Sequence, residues 1–246
     1  MQKSFLLILT FIELSFVLNA TKKTIFIIGD STAANKDTSG GKLERGWGQK
    51  LQTYFNKNFV VVDNHALNGR SSKSFYDEGQ WAKVAKLIKK GDYVLIQFGH
   101  NDAKTDKARH TEPGSTFDQY LKYYALQTKN LGGIPVLMSP CARRSWKNGV
   151  LVDTHKGYRE TAKNVAKNLK VSFIDANSIT SKIESQLGEK GSKKLHLIYA
   201  PNEKAAYPNG VEDNTHYNVY GATVFAKQFA DALAKLFPDL SKYIQK

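Results

Sequence analysis

Five short apolar runs, with helical patterns between them, leave this chain few ways to fold. They are Thr24–Ile28, Phe59–Asp63, Tyr93–Phe98, Ile134–Met138 and Val171–Asp175. Each is too short for a helix, is rich in Val, Ile, Leu and Phe, and reads as a strand buried in a parallel sheet. Helical spacing marks Trp47–Lys57, Trp81–Lys89, Phe117–Leu131, His155–Leu169, Ile179–Leu187 and Val219–Phe237, with Leu51 and Phe55 four apart as one example. Strands alternating with helices over short connections predict βαβ units: an α/β domain with a mostly parallel five-stranded sheet and helices on both faces. The 246 residues contain no repeat, low-complexity tract or Pro/Gly/Ser-rich linker, so 21–246 reads as one domain with room for a sizeable core.

In an open α/β sheet, whatever follows each strand gathers along one edge, and ligands bind there. Here those positions are Gly29-Asp30-Ser31, Asn64 through Ser72, Gly99-His100-Asn101-Asp102 and Ser139 through Arg144. Glycines and polar groups therefore collect where a site belongs. Much later, Asp213-Asn214-Thr215-His216 supplies an acid and a base three residues apart, just ahead of the last helix. Serine, histidine and aspartate are the parts of an activated hydroxyl nucleophile, defined by geometry and not by chain order.

These segments resemble the marker blocks of the SGNH (GDSL-like) hydrolase superfamily, and in particular those of rhamnogalacturonan acetylesterases. The resemblance rests on Gly-Asp-Ser-Thr-Ala (29–33), Asn-Gly-Arg-Ser-Ser-Lys-Ser-Phe (68–75), Gly-His-Asn-Asp (99–102) and Asp-Asn-Thr-His (213–216). Leu151-Val152-Asp153-Thr154-His155 and Tyr220-Gly221-Ala222 extend it over essentially the whole chain after the first twenty residues. Thr32 stands where the more familiar motif has leucine. The resemblance implies a flavodoxin-like three-layer sandwich. It also implies a nucleophile at Ser31, a base at His216 oriented by Asp213, and an oxyanion hole of the Ser31 and Gly69 N–H groups with the Asn101 amide.

Each of these residues has a plainer alternative. Ser31 could cap a helix, Gly69 could serve a turn, Asn101 could cap or turn, and an Asp-x-x-His pair occurs by chance. Asp30 reads as a turn-holding residue, and His100 and Asp102 as loop-ordering neighbours of Asn101. His65, His110, His155 and His196 lack a partner at metal-ligand spacing and read as structural or solvent-facing, so no metal or cofactor is expected. Cys141, the single cysteine, excludes an intrachain disulfide and reads as a small buried hydrophobe. Arg70, Arg143, Arg144 and Trp146 are candidate substrate binders, because arginine forks pair with carboxylates and tryptophan stacks on sugar faces. Surface salt bridging is their alternative.

Thirty-six Lys and Arg against 22 Asp and Glu give a formal charge of +14, which favours a polyanionic partner. No zinc-finger or RNP-like motif points to nucleic acid. Lys3 followed by the apolar Phe5–Ile12 and the small residues near Ala20 reads as a signal peptide over 1–20, with a core strand or helix as the alternative. The expectation is therefore a secreted or periplasmic serine esterase without membrane insertion, removing O-acetyl groups from an acidic plant cell-wall polysaccharide, pectic rhamnogalacturonan above all. Acetylxylan or another sugar ester, a lipase or thioesterase of the same superfamily, and a non-catalytic glycan-binding module are the competing readings. Oligomeric state is not read from the sequence.

Overall fold

The computed structural model describes residues 22–245, so the segment read as a signal peptide lies outside the described residues. In chain order the elements are β1 (Lys23–Gly29), β2 (Glu44–Arg45), α1 (Trp47–Leu51), β3 (Val60–Asn64), α2 (Ser72–Asp77), α3 (Gln80–Ala85), β4 (Tyr93–Gln97) and α4 (Thr116–Asn130). They continue with β5 (Ile134–Met138), β6 (Trp146–Lys147), β7 (Val150–Leu151), α5 (Gly157–Leu169), β8 (Ser172–Ile174) and α6 (Ala176–Ser192). The last are β9 (His196–Tyr199), β10 (Val211–Asn218), α7 (Val219–Leu236) and α8 (Pro238–Ser241).

The five apolar runs pair, all in parallel, in the order β3-β1-β4-β5-β8. Numbered by succession this is 2-1-3-4-5, the flavodoxin-like order, which reverses direction between β1 and β4 and opens a crevice there. Side chains alternate across the sheet. Ile25, Ile27, Tyr93 and Leu95 face one core with Trp47, Phe225, Phe229 and Leu233, while Phe26, Ile28, Val94 and Ile96 face a second core with Phe75, Trp81, Phe117 and Leu121. Burying each large apolar side chain contributes about 1.5–3 kcal/mol, so two such layers hold the sheet from both sides. The helices on the first side are α1, α6, α7 and α8, and α2 to α5 cover the other: a three-layer sandwich.

Four expected segments differ in extent. The first α-helix ends at Leu51 and tightens into a 3-10 turn over Gln52–Tyr54, where the Gln52 side chain accepts from Val62 N and donates to Val60 O of β3. The second, expected over Trp81–Lys89, is α3 and ends at Ala85, and an unexpected helix, α2, precedes it across Gly79. α6 starts earlier than Ile179, since Asp175 caps it by accepting from Ser178 N, and past Leu187 the chain kinks at Gly188 (φ +70) before a last turn to Ser192. Residues 211–218, expected only as the approach to the last helix, form strand β10. It pairs antiparallel with β2 and β9 in a small second sheet that local patterning did not reveal. No helix among the described residues is long and apolar enough to cross a membrane.

Candidate active site

Gly29 ends β1 pressed against β4, where a Cβ would lie 2.7 Å from the Gln97 carbonyl oxygen, so only glycine lets the chain turn there. Asp30 follows, fully buried, and ties the turn by accepting from Thr32 N at 2.9 Å and Thr32 Oγ1 at 2.8 Å. Burial works to raise its pKa, but contact with His100 and the Thr32 donors outweighs burial and keeps it ionised. The turn presents Ser31 at the carboxyl end of the sheet with 9% of its surface exposed.

His216 reaches the same point from 185 positions away. Its Nε2 lies 2.8 Å from Ser31 Oγ, and its Nδ1 lies 2.7 Å from Asp213 Oδ2. The other Asp213 oxygen accepts from the N–H groups of Thr215 and His216 at 2.8 and 2.9 Å. Burial raises the Asp213 pKa, yet these donors and the imidazole win and hold it well below the ordinary carboxylate range. An ionised carboxylate so placed accepts from Nδ1–H and leaves Nε2 free to receive the serine proton.

A bulge aims the histidine. Asp213 pairs with Leu197 and Tyr217 with His196, adjacent residues of β9, so Asn214, Thr215 and His216 loop out between them. Arg144 fastens the loop. Its backbone N–H donates to Asn214 O at 2.8 Å, and its guanidinium donates to Asn214 Oδ1 at 2.7 Å, Glu189 O at 2.6 Å and Ser192 Oγ at 3.1 Å. Displacing a catalytic group by about 1 Å can cost about 100-fold. Arg144→Met is therefore expected to lower kcat about 10- to 100-fold with KM little changed, in protein whose far-ultraviolet circular dichroism is intact. A KM effect alone would count against a positioning role.

Three candidate oxyanion donors follow β1, β3 and β4 at the same carboxyl edge of the sheet. The Ser31 and Gly69 N–H groups hold no hydrogen bond among the described residues. Gly69 turns with φ +74, a conformation in which a side chain is strained. Asn101 spends one Nδ2–H on Arg70 O at 3.0 Å and has a second to offer. Behind them Asp102 is fully buried and collects donors from Ser72, Gly99 and Thr111. It locks the Gly69 and Asn101 loops together.

His100 and His155 pack edge to face beneath this edge with ring centroids 4.5 Å apart. Burial, then the neighbouring His100, takes the His155 pKa down to about 4 from the ordinary 6.5. The unfolded chain thus binds a proton that folded His155 refuses. Stability of about 3 kcal/mol is present above pH 6.5 and is lost as pH falls towards about 4. Urea unfolding at pH 7 and pH 4.5 is expected to show this loss in the wild type and a smaller one in His155→Leu. Equal slopes would remove the assignment.

This arrangement suits acyl transfer, and its sequence agrees. Residues 27–224 match the model of the GDSL-like lipase/acylhydrolase family. The chain belongs to that family. Rhamnogalacturonan acetylesterase RhgT of Bacillus subtilis is 38% identical over 213 residues, covering 86% of this chain and 90% of that one. The rhamnogalacturonan acetylesterase of Emericella nidulans is 28% identical over 241 residues, covering 90% and 89%. The crystal structure of the Bacillus subtilis protein YxiM superposes with a TM-score of 0.74 at 27% identity, covering 88% of this chain and 57% of that one.

On this GDSL-like frame the four residues expected to bind sugar part company. Arg144 is a correction: it is 8% exposed and its guanidinium is spent on Asn214, Glu189 and Ser192, so it supports the bulge and has no fork to offer a ligand. Arg143 is half-buried, donating to Thr154 Oγ1 and to the His100 carbonyl. Trp146 is half-buried in the β6–β7 hairpin, with its indole nitrogen enclosed. Arg70 stays at the rim, paired with Glu78 at 2.8 Å. Cys141 is buried and burial pushes its thiol pKa far up, which makes it a poor nucleophile. No group of three or more His, Cys, Asp or Glu among the described residues is arranged to hold a metal ion.

Proposed function

We propose that this protein removes O-acetyl groups from acetylated rhamnogalacturonan through an acetyl-serine intermediate. The observation that carries the mechanism is the unbroken chain from Ser31 Oγ through His216 to Asp213, at 2.8 and 2.7 Å. As Ser31 Oγ attacks the acetyl carbon, its proton passes to His216 Nε2, and Asp213 stabilises the imidazolium. The carbonyl oxygen, now an anion, is met by the Ser31 and Gly69 N–H groups and the Asn101 amide, each such donor being worth roughly 3–4 kcal/mol. The C–O bond to the sugar then breaks and the sugar oxygen takes the proton from His216. Water, deprotonated by the same imidazole, releases acetate. No step draws on a metal or cofactor.

The choice of ester follows from the surroundings and the relatives. Lys36, Asn68, Asn101 and Arg143 are hydrogen-bonded in the loops that follow β1, β3, β4 and β5, and such polar loops suit a sugar better than a long acyl chain. Two relatives that align over most of both chains are named rhamnogalacturonan acetylesterases. The charge of +14 favours a galacturonate-bearing polymer over neutral xylan. Together with the apolar leader over 1–20, this points to work outside the cytoplasm. A non-catalytic glycan-binding module would have no use for the aligned triad.

Acetate release from acetylated rhamnogalacturonan, xylan and homogalacturonan, measured side by side, tests the reading. Rhamnogalacturonan is expected to be turned over fastest. Its kcat/KM is expected to fall as sodium chloride rises, because exposed charges act over only about 8 Å at physiological salt. p-Nitrophenyl acetate, being small and neutral, is expected to respond little. Preference for xylan with a flat salt response would overturn the acidic-substrate reading.

A further inference from the structure

We propose that Tyr76, Tyr120 and Tyr123 form a glycan subsite, an aromatic shelf that holds sugar rings of the polymer at a set distance from Ser31. The inference rests on the acetylesterase reading and extends its substrate contacts beyond the reacting sugar.

The shelf is exposed and shaped for stacking. Tyr76 is 42% exposed and Tyr123 36%. Their rings meet edge to face with centroids 5.0 Å apart, and Tyr120 lies 5.8 Å from Tyr76. Tyr76 and Tyr123 border a depression of about 580 Å³, which Trp81 and Asp77 also line. Neighbouring exposed aromatics of this kind mark an interaction surface, since water gains nothing from covering their faces. The chemistry chooses a sugar. Apolar C–H faces of a pyranose stack on tyrosine rings, while its hydroxyls find the Asp77 carboxylate and the phenol groups at the rim. A lipid acyl chain would call for aliphatic side chains, and the residues bordering this depression include none larger than alanine.

Continuity with the site fixes what the shelf is for. Tyr76 sits in α2, which begins three residues after Gly69, and Ser72 to Tyr76 spans only about 6 Å along the helix. Lys73 and Arg70 lie between the shelf and Gly69 in the chain, where they pair with Asp77 and Glu78. The connection is rigid. Ser72 donates to Asp102, Asn101 donates to Arg70 O at 3.0 Å, and Tyr124, next to Tyr123, donates from its hydroxyl to Ser72 O at 2.6 Å. The helices that carry the shelf are thus hydrogen-bonded to the loops that carry Gly69 and Asn101. A polymer stacked on the tyrosines is held in register with the nucleophile.

The test is a Tyr76→Ala/Tyr123→Ala double variant compared with Tyr76→Phe/Tyr123→Phe, which keeps the stacking faces. The alanine pair is expected to lose about tenfold in kcat/KM on acetylated rhamnogalacturonan polymer, mostly through KM. It is expected to stay within twofold on p-nitrophenyl acetate, and the phenylalanine pair is expected to stay near wild type on both. Mobility in gels containing deacetylated rhamnogalacturonan reads binding without turnover. Retardation of Ser31→Ala protein is expected, and its loss when the two alanines are added. Wild-type polymer hydrolysis unaltered by the alanine pair, with equal gel mobility, would overturn the shelf. Wild-type protein that cleaves p-nitrophenyl acetate but no glycan ester would overturn the acetylesterase reading instead. The gel then decides the shelf by itself: lost retardation supports it and unchanged retardation sinks it.

Discussion

Ser31→Ala and His216→Ala are each expected to lower kcat for acetate release by about 10⁴- to 10⁶-fold, and the double variant to fall scarcely further. The reason is the 2.8 Å contact between Ser31 Oγ and His216 Nε2. A serine hydroxyl is inert at neutral pH without a base to take its proton, and the base has nothing to do without the hydroxyl. Residues that act as one unit lose nearly everything with the first removal. The residue left over comes from the oxyanion donors, which neither substitution touches. The check is single-turnover and steady-state acetate release by all three variants, with thermal unfolding to show that each still folds. Losses that multiply in the double variant would mean that the two side chains act in separate steps.

Asp213→Asn is expected to lower kcat about 10⁴-fold while leaving the fold intact. Asp213 accepts from His216 Nδ1 at 2.7 Å and from two backbone N–H groups with its other oxygen. Asparagine keeps an oxygen for the backbone donors but turns an N–H towards the imidazole. That favours the tautomer with the proton on Nε2, which can no longer accept from Ser31. Nuclear magnetic resonance of the imidazole nitrogens identifies the tautomer, and acetate release measures the rate. A variant within tenfold of wild type would show that Asp213 does not orient the base.

The sequence and the tertiary structure contributed different parts of this site. Buried parallel strands are written locally, as runs such as Ile25–Ile28 and Tyr93–Gln97 that need no alternation because both faces are covered. Once five of them alternate with helices, the rule that ligands bind at the carboxyl edge carries Ser31, Gly69 and Asn101 to one side of the sheet without any coordinate. The extent of α1 and the existence of α2 were not readable in this way. Where the α-helix gives way to a 3-10 turn at Gln52, that side chain bonds to β3, a contact between residues eight and ten positions apart that helical spacing does not record.

Strand β10 was harder still. Its residues, Val-Glu-Asp-Asn-Thr-His-Tyr-Asn, show neither an apolar run nor clean alternation, because the bulge at Asn214–His216 breaks the period. The bulge is held by Arg144, 70 positions away from Asn214, whose buried guanidinium was indistinguishable in sequence from a ligand-binding fork. The pairing of His100 with His155 is likewise invisible to any local pattern. What the sequence alone determined is the order of elements, the edge where the chemistry gathers and the residue types available there, since periodicity and turn residues act over a few positions. Only the tertiary structure decided which donors are already spent, how the bulge turns His216 towards Ser31, and which arginine is structural. Those outcomes depend on side chains that meet across the fold, and nothing in their own neighbourhoods records the meeting.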